Sequence, residues 1–490
     1  MSSGEGNFVA QIHVQAQLRP RGLAIIAPGR LLSYARLVRA TGSVVAHLRA
    51  QGVRPGQTVG MTVVHPVLHP LTILALAQMG AVSLPLHPSV PKDRRQLAAR
   101  RFGAELVVSG RAEHALDGLP FVDLARIDFG DDDASDTDIH PLPGDAPLRV
   151  MITSGTSGDP KGMLISHEQL ALRCAEGDPG MSPLSRVLPM DMNFLLGFRP
   201  LMGALSRGAA VVMAASAAPR DLLQALVAHR VTHLTLSPIQ ARDLAREAAT
   251  AGLACPDVVS LRIAGGAIAA DALAEVRSHL TKAVSVVYGS TESGLATCAL
   301  PQVLERKPAT VGRPLKWAEV EVVDDEGRPC APEESGQVRI RSRHQLAGYY
   351  RGEARHAHPF RDGWFYPGDL GHFDAEGLLF IDGRGDERIN LGGMKADPRD
   401  IEDALCRHAA VTDAGAFVGV DGDAREVLAA ALVLADPGAL PDVERHARAT
   451  LGPLAPARLA VVASLPRTPT GKLKRHELAD LVAMPAGRVR

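Results

Sequence analysis

Several features that would place this chain in a specialised class of protein are missing. Its 490 residues carry 53 Lys+Arg against 54 Asp+Glu, so the formal net charge is −1. This balance provides no basic field for nucleic acid or an anionic membrane, and it favours a small-molecule partner held by a local site. No stretch reaches 18 uninterrupted apolar residues, and the N-terminal segment lacks the apolar core of a signal peptide. We therefore expect a cytoplasmic protein with no membrane span.

Cysteine and lysine are both scarce. The five cysteines are scattered without a C-x-x-C pair or a histidine cluster, so neither a disulfide framework nor a zinc site is predicted. Only eight of the 53 cationic residues are lysine. A codon preference for arginine explains this bias most simply, but a compact ammonium is not interchangeable with a guanidinium. Each lysine that remains is therefore worth examining for a chemical role.

The first three quarters of the chain alternate between helical and extended patterns. Residues 31–52 have apolar positions at helical spacing, ending at Gly52, and a Pro-Gly turn then leads into a strand. Repeated helix-then-strand units predict largely parallel sheets with helices on their faces. The acidic segment 129–147 has no periodicity and many breakers, so we expect a solvated connector.

The pattern changes after about residue 316, where alternating strands and tight D-G or E-G turns predict an antiparallel sheet or barrel. From Asp386 the chain again mixes helices and strands, over a length suited to a small independent domain. The predicted fold is α/β. A large N-terminal domain, 1–385, has layered parallel sheets and a β-rich subdomain, and a small α+β domain covers 386–490.

The segment from Thr153 to Gly162 reads TSGTSGDPKG and follows the apolar strand LRVMI. Hydroxyls and bare backbone N–H groups dominate it, and its glycines allow the backbone to close around a polyanion. Lys161 adds a point charge. The Walker A pattern is absent here and around Lys472, so this is a phosphate loop of a different kind. An ordinary flexible Ser/Gly turn explains ten such consecutive positions poorly.

This loop resembles the phosphate-loop signature of the AMP-forming acyl- and aryl-CoA synthetase, adenylation-domain and luciferase superfamily, the adenylate-forming enzymes. Six further segments follow that family's order and bring the resemblance to nearly the whole chain, from about residue 31 to 475. These segments are 76–88, AGGA at 264–267, YGSTESG at 288–294, YPGDL at 366–370, GRGD at 383–386 and PRTPTGKLK at 466–474.

The resemblance implies an ATP and AMP site. Tyr288 offers an apolar face for adenine, although a tyrosine of the hydrophobic core at the end of a strand would give the same sequence pattern. Glu292 suits Mg²⁺, which prefers one or two carboxylates plus phosphate oxygens, and Asp369 suits the ribose hydroxyls. The full nucleotide set implied is Thr153, Ser154, Gly155, Thr156, Ser157, Gly158, Lys161, Gly265, Gly266, Ala267, Tyr288, Gly289, Ser290, Thr291, Asp369, Arg384 and Lys472.

The catalytic residues that the resemblance implies are Lys472, Thr291 and Glu292. When a carboxylate attacks the α-phosphorus of ATP, two anions meet, and a cation contacting both lowers the barrier. Thr291 can donate to the α-phosphate. Without the resemblance, Lys472 would be typical of a solvated charge in a basic tail.

The resemblance also implies a second configuration, in which the small domain turns about a hinge at Asp386 and a pantetheine thiol attacks the acyl-adenylate. Gly392, Gly393 and Lys395 would then reach the site for the thiol step. An ordinary surface lysine fits Lys395 equally well.

The acid pocket implied by the resemblance contains Asn193, Phe194, Gly197, Gly266, Ser293 and Gly294. Leu195 stands where amino-acid-activating relatives carry an aspartate, which disfavours an α-amino acid. Asn193 stands where 2-hydroxyaryl-acid-activating relatives carry an asparagine, with Phe194 as an aromatic wall, but a capped helix start would place the same residues there. Asp191 keeps a β-amino or other amino acid open.

The resemblance thus predicts a ligase that uses ATP and Mg²⁺ to convert a carboxylic acid to an acyl-AMP with release of pyrophosphate. An aryl acid is favoured and a fatty or short acyl acid comes next. The acyl group then passes to a pantetheine thiol, of coenzyme A or of the phosphopantetheine on a stand-alone carrier protein. Two alternatives remain open, namely an enzyme that stops at the adenylate or uses a non-thiol acceptor, and a catalytically silent nucleotide-binding homologue.

Overall fold

A computed structural model describes residues 6–127, 136–153, 161–178, 180–351, 359–385, 389–391, 394–420, 426–468 and 473–483. The helices within these ranges are α1 Val9–Leu18, α2 Tyr34–Ala50, α3 Leu68–Gln78, α4 Lys92–Phe102, α5 His167–Gly177, α6 Leu195–Ser206, α7 Pro219–Ala228, α8 Pro238–Ala251, α9 Ala270–His279, α10 Pro301–Arg306, α11 Pro398–Cys406, α12 Leu440–Leu451 and α13 Leu478–Ala483.

The strands within the same ranges are β1 Leu23–Ala27, β2 Arg30–Ser33, β3 Thr58–Met61, β4 Val82–Pro85, β5 Leu106–Ser109, β6 Phe121–Asp123, β7 Pro147–Thr153, β8 Lys161–Ser166, β9 Arg186–Leu188, β10 Ala210–Val212, β11 His233–Leu236, β12 Ser260–Ile263, β13 Val284–Ser290, β14 Gly294–Ala299, β15 Arg313–Pro314, β16 Ala318–Val323, β17 Gly336–Ser342, β18 Phe360–Arg361, β19 Trp364–Phe365, β20 Asp369–Phe373, β21 Leu379–Arg384, β22 Ile389–Leu391, β23 Met394–Ala396, β24 Val411–Val420, β25 Glu426–Leu434 and β26 Arg458–Val461.

Two sheets with parallel centres form the larger part of the molecule. The first runs β15-β14-β13-β12-β11-β9-β10-β1-β2, with antiparallel pairs at its two ends, and the second runs β6-β5-β3-β4-β7-β8, with only β8 antiparallel. One hydrophobic core joins residues of both sheets to α2, α3 and α6. Every residue of α3 is buried, which is the expected state of a helix that is apolar on all sides. The carboxyl ends of the central strands carry the candidate site.

The β-rich region and the small domain have their own cores. Strands β16 to β21 form an antiparallel sheet, and β17 pairs with β16, β19 and β20. Beyond residue 400, β24, β25 and β26 form a separate sheet covered by α11 and α12, around a core that includes Ile401, Leu432 and Val443. The predicted fold class is therefore confirmed. Among the described residues, no helix is both long and apolar enough to cross a membrane.

One local prediction is wrong at its start. The helical pattern predicted from residue 31 begins at Tyr34, because Arg30–Ser33 pairs with β1 as an antiparallel strand. The Ser33 hydroxyl then accepts a hydrogen bond from the backbone N–H of Arg36 and caps α2. Pairing with β1 satisfies the backbone before the helix begins, which apolar spacing alone does not reveal.

Candidate active site

A tyrosine and an aspartate join the first sheet to the antiparallel sheet. Tyr288 lies near the end of β13, and its hydroxyl donates to Oδ2 of Asp369 at 2.6 Å. Asp369 opens β20 directly after Gly368, whose φ of +84° is accessible to glycine at little cost. In the register of the sheet Asp369 faces Arg384, and Nη1 of Arg384 is 3.6 Å from Oδ1 of Asp369. Asp369 and Arg384, two predicted nucleotide-binding residues of the antiparallel sheet, thus lie close to a third, Tyr288, of the first sheet.

The Tyr288–Asp369 pair lies in a partly desolvated position. Burial raises the pKa of Tyr288 well above its usual value, and the nearby Asp369 carboxylate raises it further. Tyr288 is therefore a neutral donor at physiological pH. The Asp369 side chain is 13% exposed. A carboxylate has about four lone-pair directions, so Asp369 can hold Tyr288 and still accept hydrogen bonds from a ligand.

Glu292 is a buried carboxylate at the turn between β13 and β14. Its residue is 8% exposed, and its Oε1 accepts a hydrogen bond from the Tyr349 hydroxyl at 3.1 Å. The backbone carbonyl of Glu292 accepts from the N–H of Leu346 at 2.8 Å. Arg173, on α5, lies below this turn and donates from Nη2 to the carbonyl oxygen of Thr291 at 3.1 Å. The turn is thereby fixed from two sides.

The glycine loop predicted for adenine follows β12. Gly265, Gly266 and Ala267 are exposed, and Gly265 has a φ of +87°. A Cβ added to Gly265 would lie 3.3 Å from Cδ1 of Leu196, at the start of α6. This contact places the open loop beside the segment predicted to bind the acid.

The phosphate loop is described only at its ends. Thr153 and Lys161 are paired residues of the β7–β8 hairpin, and Nζ of Lys161 lies 5.4 Å from the centroid of the Tyr349 ring. Tyr349 therefore contacts both Lys161 and Glu292. The residues between, including the predicted Ser154, Gly155, Thr156, Ser157 and Gly158, lie outside the described residues.

The remaining residues predicted around the 288–294 segment form a tight turn. The Ser290 and Ser293 hydroxyls are 3.2 Å apart, and the N–H of each residue donates to the hydroxyl of the other. Gly294 has a φ of +73°, and a Cβ there would lie 2.5 Å from Cβ of His344. At Gly289 a Cβ would clash with the backbone of Gly294. Only glycine fits at both positions, because a side chain would clash with neighbouring atoms.

The predicted acid pocket begins in the loop before α6. Asn193 is 4% exposed, and its Nδ2 donates to Oδ1 of Asp191 at 2.7 Å. The residue before α6 is Phe194, and no side chain caps the helix. The alternative role of Asn193 as a helix cap is therefore wrong. Gly197 is buried against the carbonyls of Met190 and Asp191, which a Cβ would contact at 2.3 Å.

Several predicted residues cannot be placed. Lys472, the hinge residue Asp386, and Gly392 and Gly393 lie outside the described residues. Lys395 belongs to the β22–β23 hairpin by its main chain.

Tyr349 and Arg173 were not predicted from the sequence. Tyr349 is 57 residues from the carboxylate that it contacts, in a short segment, GYY, that carries no phosphate or metal pattern. Arg173 lies on a helix face where arginine is usually solvated, yet burial lowers the pKa of its guanidinium to about 10. Contacts this distant in the chain come only from the tertiary fold.

The donor chemistry of Glu292 fits magnesium. In the described ranges no group of three or more His, Cys, Asp or Glu side chains could hold a metal ion. Glu292 supplies one buried carboxylate, and Mg²⁺ commonly takes one or two carboxylates and completes its shell with phosphate oxygens and water.

The candidate site thus draws residues from three sheets, and the comparisons give the family of the chain. The chain belongs to the AMP-binding enzyme family, whose family model matches residues 12–350. A second family model, that of the AMP-binding enzyme C-terminal domain, matches residues 400–472. The predicted superfamily is confirmed, as is the prediction of an enzyme that ligates a carboxylic acid through its adenylate.

Known relatives match over nearly the full length. The chain is 25% identical over 492 residues to 2-succinylbenzoate–CoA ligase from Bacillus subtilis, covering 98% of this chain and 99% of the relative. It is 28% identical over 501 residues to indoleacetate–CoA ligase from Aromatoleum aromaticum, covering 96% of each. The structure of the Bacillus subtilis O-succinylbenzoate coenzyme A synthetase with ATP and a magnesium ion aligns with a TM-score of 0.85 at 25% identity, covering 96% of this chain and 98% of that one.

Proposed function

We propose that this protein activates an aromatic carboxylic acid with ATP and transfers the acyl group to the thiol of coenzyme A. A carboxylate oxygen of the acid attacks the α-phosphorus, and pyrophosphate leaves. The thiolate of coenzyme A then attacks the acyl carbon, and AMP leaves. Two full-length relatives are coenzyme A ligases of aromatic acids, which supports both the acid and the acceptor.

The observation that carries this proposal is the meeting of Tyr288, Asp369 and Arg384. In this proposal Asp369 accepts the ribose hydroxyls while it holds Tyr288, and adenine binds at Tyr288 and the exposed loop at Gly265. Thr291 and Lys161 face the phosphates in this proposal, and Glu292 holds magnesium together with phosphate oxygens. When bound, that ion would neutralise charge on the departing pyrophosphate.

We also propose the division of the chain at Asp386 and a rotation of the small domain between the two steps. The separate core of that domain supports this proposal. A hydrogen bond between the two parts, from Nη2 of Arg242 to the carbonyl of Thr412, is 3.4 Å long, which is at the weak end of the range. Lys472, Lys395 and the glycines before Lys395 are assigned to the small domain's catalytic surfaces.

Pyrophosphate exchange tests the proposed function. We expect incorporation of labelled pyrophosphate into ATP that depends on an added aromatic acid, and coenzyme A thioester formation with the same acid. A panel of aromatic, short-chain, long-chain and β-amino acids gives the comparison. Intact ATP binding with no exchange for any acid would contradict the proposal and favour a silent homologue. Exchange without thioester formation would instead favour a carrier protein or a non-thiol acceptor.

Asp369→Ala is expected to raise the KM for ATP by about 10- to 100-fold, because two hydrogen bonds to a charged acceptor are lost. The kcat for exchange should fall less, since the reacting phosphorus is not contacted by this residue. Steady-state exchange kinetics measure both constants. Asp117→Asn is a matched control, since the Asp117 side chain is 78% exposed and forms a surface ion pair with Lys92. Equal KM values for ATP in the two variants would contradict a role of Asp369 in nucleotide binding.

A further inference from the structure

The turn that carries Thr291 and Glu292 is held by the helix that continues from the phosphate hairpin. That hairpin is β7–β8, and α5 begins directly after β8, with the Ser166 hydroxyl as its cap. On α5, Arg173 donates from Nη2 to the carbonyl oxygen of Thr291 at 3.1 Å, and the same nitrogen donates to the carbonyl oxygen of His344. One side chain of α5 therefore joins the turn to a third, distant segment.

The phosphate hairpin reaches the same turn at a second point. Lys161, the first residue of β8, lies against the Tyr349 ring, and the Tyr349 hydroxyl donates to Glu292 at 3.1 Å. Glu292 is thus linked through Tyr349 to the start of β8, and Thr291 is linked directly to Arg173 on α5. Since β8 and α5 are consecutive elements joined by a capped junction, the two links hold the turn at both ends of one unit.

Arg173 is a costly residue for a helix interior. It is 2% exposed, and its Nε and Nη1 have no hydrogen-bond partner in the described part of the chain. Its guanidinium remains charged at neutral pH, although burial lowers the pKa to about 10. A residue that only filled this space would be apolar, because burying a charge is unfavourable unless its hydrogen bonds are made. The guanidinium therefore serves the two carbonyl groups to which Nη2 donates, and charge strengthens both hydrogen bonds.

His344 supports the far side of the turn. Its side chain is 2% exposed, and its Nε2 is 2.9 Å from Oε2 of Glu176, which also lies on α5. Burial keeps the pKa of His344 below its usual value, so the imidazole is neutral and Nε2 donates to the carboxylate. The imidazole packs on Trp317, with ring centroids 5.1 Å apart, and Nε1 of Trp317 donates to the carbonyl oxygen of Leu295 at 2.8 Å. Two side chains of α5 thus fix the surroundings of the turn.

We propose that Arg173 is a positioning residue for adenylation, which holds the turn of Thr291 and Glu292 at a fixed distance from the phosphate hairpin. The carboxylate that binds magnesium and the groups that bind the phosphates then keep one mutual geometry while pyrophosphate leaves. Because Arg173 is buried, it acts through the two carbonyl groups and not by contact with ATP or the acid. This inference rests on the proposed function and adds to it a residue that serves only the first step.

Arg173→Met tests this role, since methionine fills the space of an unbranched side chain but removes both hydrogen bonds. We expect kcat for pyrophosphate exchange to fall by about 10- to 100-fold, as for a misplaced catalytic group, and the half-saturating magnesium concentration to rise. Single-turnover transfer from preformed aryl-AMP to coenzyme A should stay within a few-fold of wild type, because no pyrophosphate leaves in that step. Equal losses in the two half-reactions would indicate a general structural role and would overturn the inference.

Arg173→Lys is the conservative variant. Both hydrogen bonds leave from one nitrogen, so a single ammonium on a flexible stem can replace them. We expect this variant to recover most of the exchange rate that Arg173→Met loses, together with the wild-type magnesium dependence. Lysine no better than methionine would show that the hydrogen bonds are not what matters and would contradict the proposed role.

Arg207→Met is the matched control. Arg207 also donates to carbonyl groups of α5, those of Cys174 and Ala175, but its described hydrogen bonds do not include the turn of Thr291 and Glu292. Both half-reactions should therefore stay near the wild-type rates. A loss of exchange equal to that of Arg173→Met would mean that any arginine bound to α5 has the same effect, which would contradict a specific role for Arg173.

A double-mutant cycle shows whether Arg173 acts through Glu292. In Glu292→Gln the positioned carboxylate is absent, so adding Arg173→Met should raise the half-saturating magnesium concentration no further. A further rise of about threefold or more, above the usual error of additivity, would contradict the inference. Absence of acid-dependent exchange in the wild-type protein would overturn the proposed function as well. Normal exchange in both the wild type and Arg173→Met would overturn this inference alone.

Discussion

Glu292→Gln is expected to lower the rate of adenylation by about a hundredfold or more, because a metal ligand and a fixed negative charge are lost together. Glutamine keeps the shape of the side chain and can still accept from the Tyr349 hydroxyl, so the fold should be retained. The exchange reaction measured over a range of magnesium concentrations checks this. The half-saturating magnesium concentration should rise along with the fall in kcat.

Tyr349→Phe is the matched control for this prediction. It removes the hydroxyl group that donates to Oε1 of Glu292 and leaves both carboxylate oxygens for magnesium. The Phe ring also keeps the contacts of Tyr349 with Lys161 and with Phe360, whose ring centroid is 5.7 Å away. We expect a change of only a few-fold, about the effect of one neutral hydrogen bond. If Glu292→Gln retains magnesium dependence and a rate within this range, the carboxylate is not the metal ligand.

The sequence predicted those parts of the site that depend on local pattern. Gly368, Gly289 and Gly294 occupy positions where the backbone conformation or the lack of space demands glycine, so their order in the chain carries real information. The meeting of Tyr288 with Asp369, 81 residues apart, was implied by the family resemblance and not by either segment alone. The order of helices and strands followed from the periodicity of apolar residues, because burial of one face of an element imposes that periodicity.

The parts that the sequence did not predict depend on contacts between distant residues. His87 follows β4 and Arg149 lies on β7, two neighbouring strands of the second sheet. Asp191 follows β9 of the first sheet, so only the packing of the two sheets brings it to His87 and its loop to Arg149. A charged residue within the apolar strand LRVMI was a signal that something polar lay nearby, but not what it was. The start of α2 was misplaced for a related reason, since pairing with β1 overrides helical spacing.

Lys472→Ala should abolish adenylation, by about three orders of magnitude if this lysine stabilises both anions in the transition state. Transfer from preformed aryl-AMP to coenzyme A should remain largely intact, because that step has no pyrophosphate to stabilise. The described residues on either side of Lys472 form specific contacts. Arg467 forms a bridge with Leu473, and its Nη2 pairs with Oδ1 of Asp413 at 2.7 Å. Exchange and single-turnover transfer assays measure the two steps separately.

Lys474→Ala is the matched control for this lysine. Lys474 lies two residues further on, is 37% exposed at its side chain and pairs with Glu477 at 2.8 Å. Exposed pairs of this kind contribute little, so both half-reactions should stay near the wild-type rates. Equal losses in Lys472→Ala and Lys474→Ala would indicate damage to the terminal segment and would contradict a specific role for Lys472.

Asp386→Pro should give the reverse result, with adenylation retained and thiol transfer blocked. Proline fixes φ near −65° and restricts the residue before it, so a hinge that must change its backbone angles loses one of its two states. Asp386→Ser, which leaves the backbone free, should retain both steps and so separates rigidity from loss of the carboxylate. The opposite losses in Lys472→Ala and Asp386→Pro test one idea, that the small domain serves two reactions from two orientations. If each variant loses both half-reactions equally, a single fixed arrangement performs both steps and the proposed rotation is wrong.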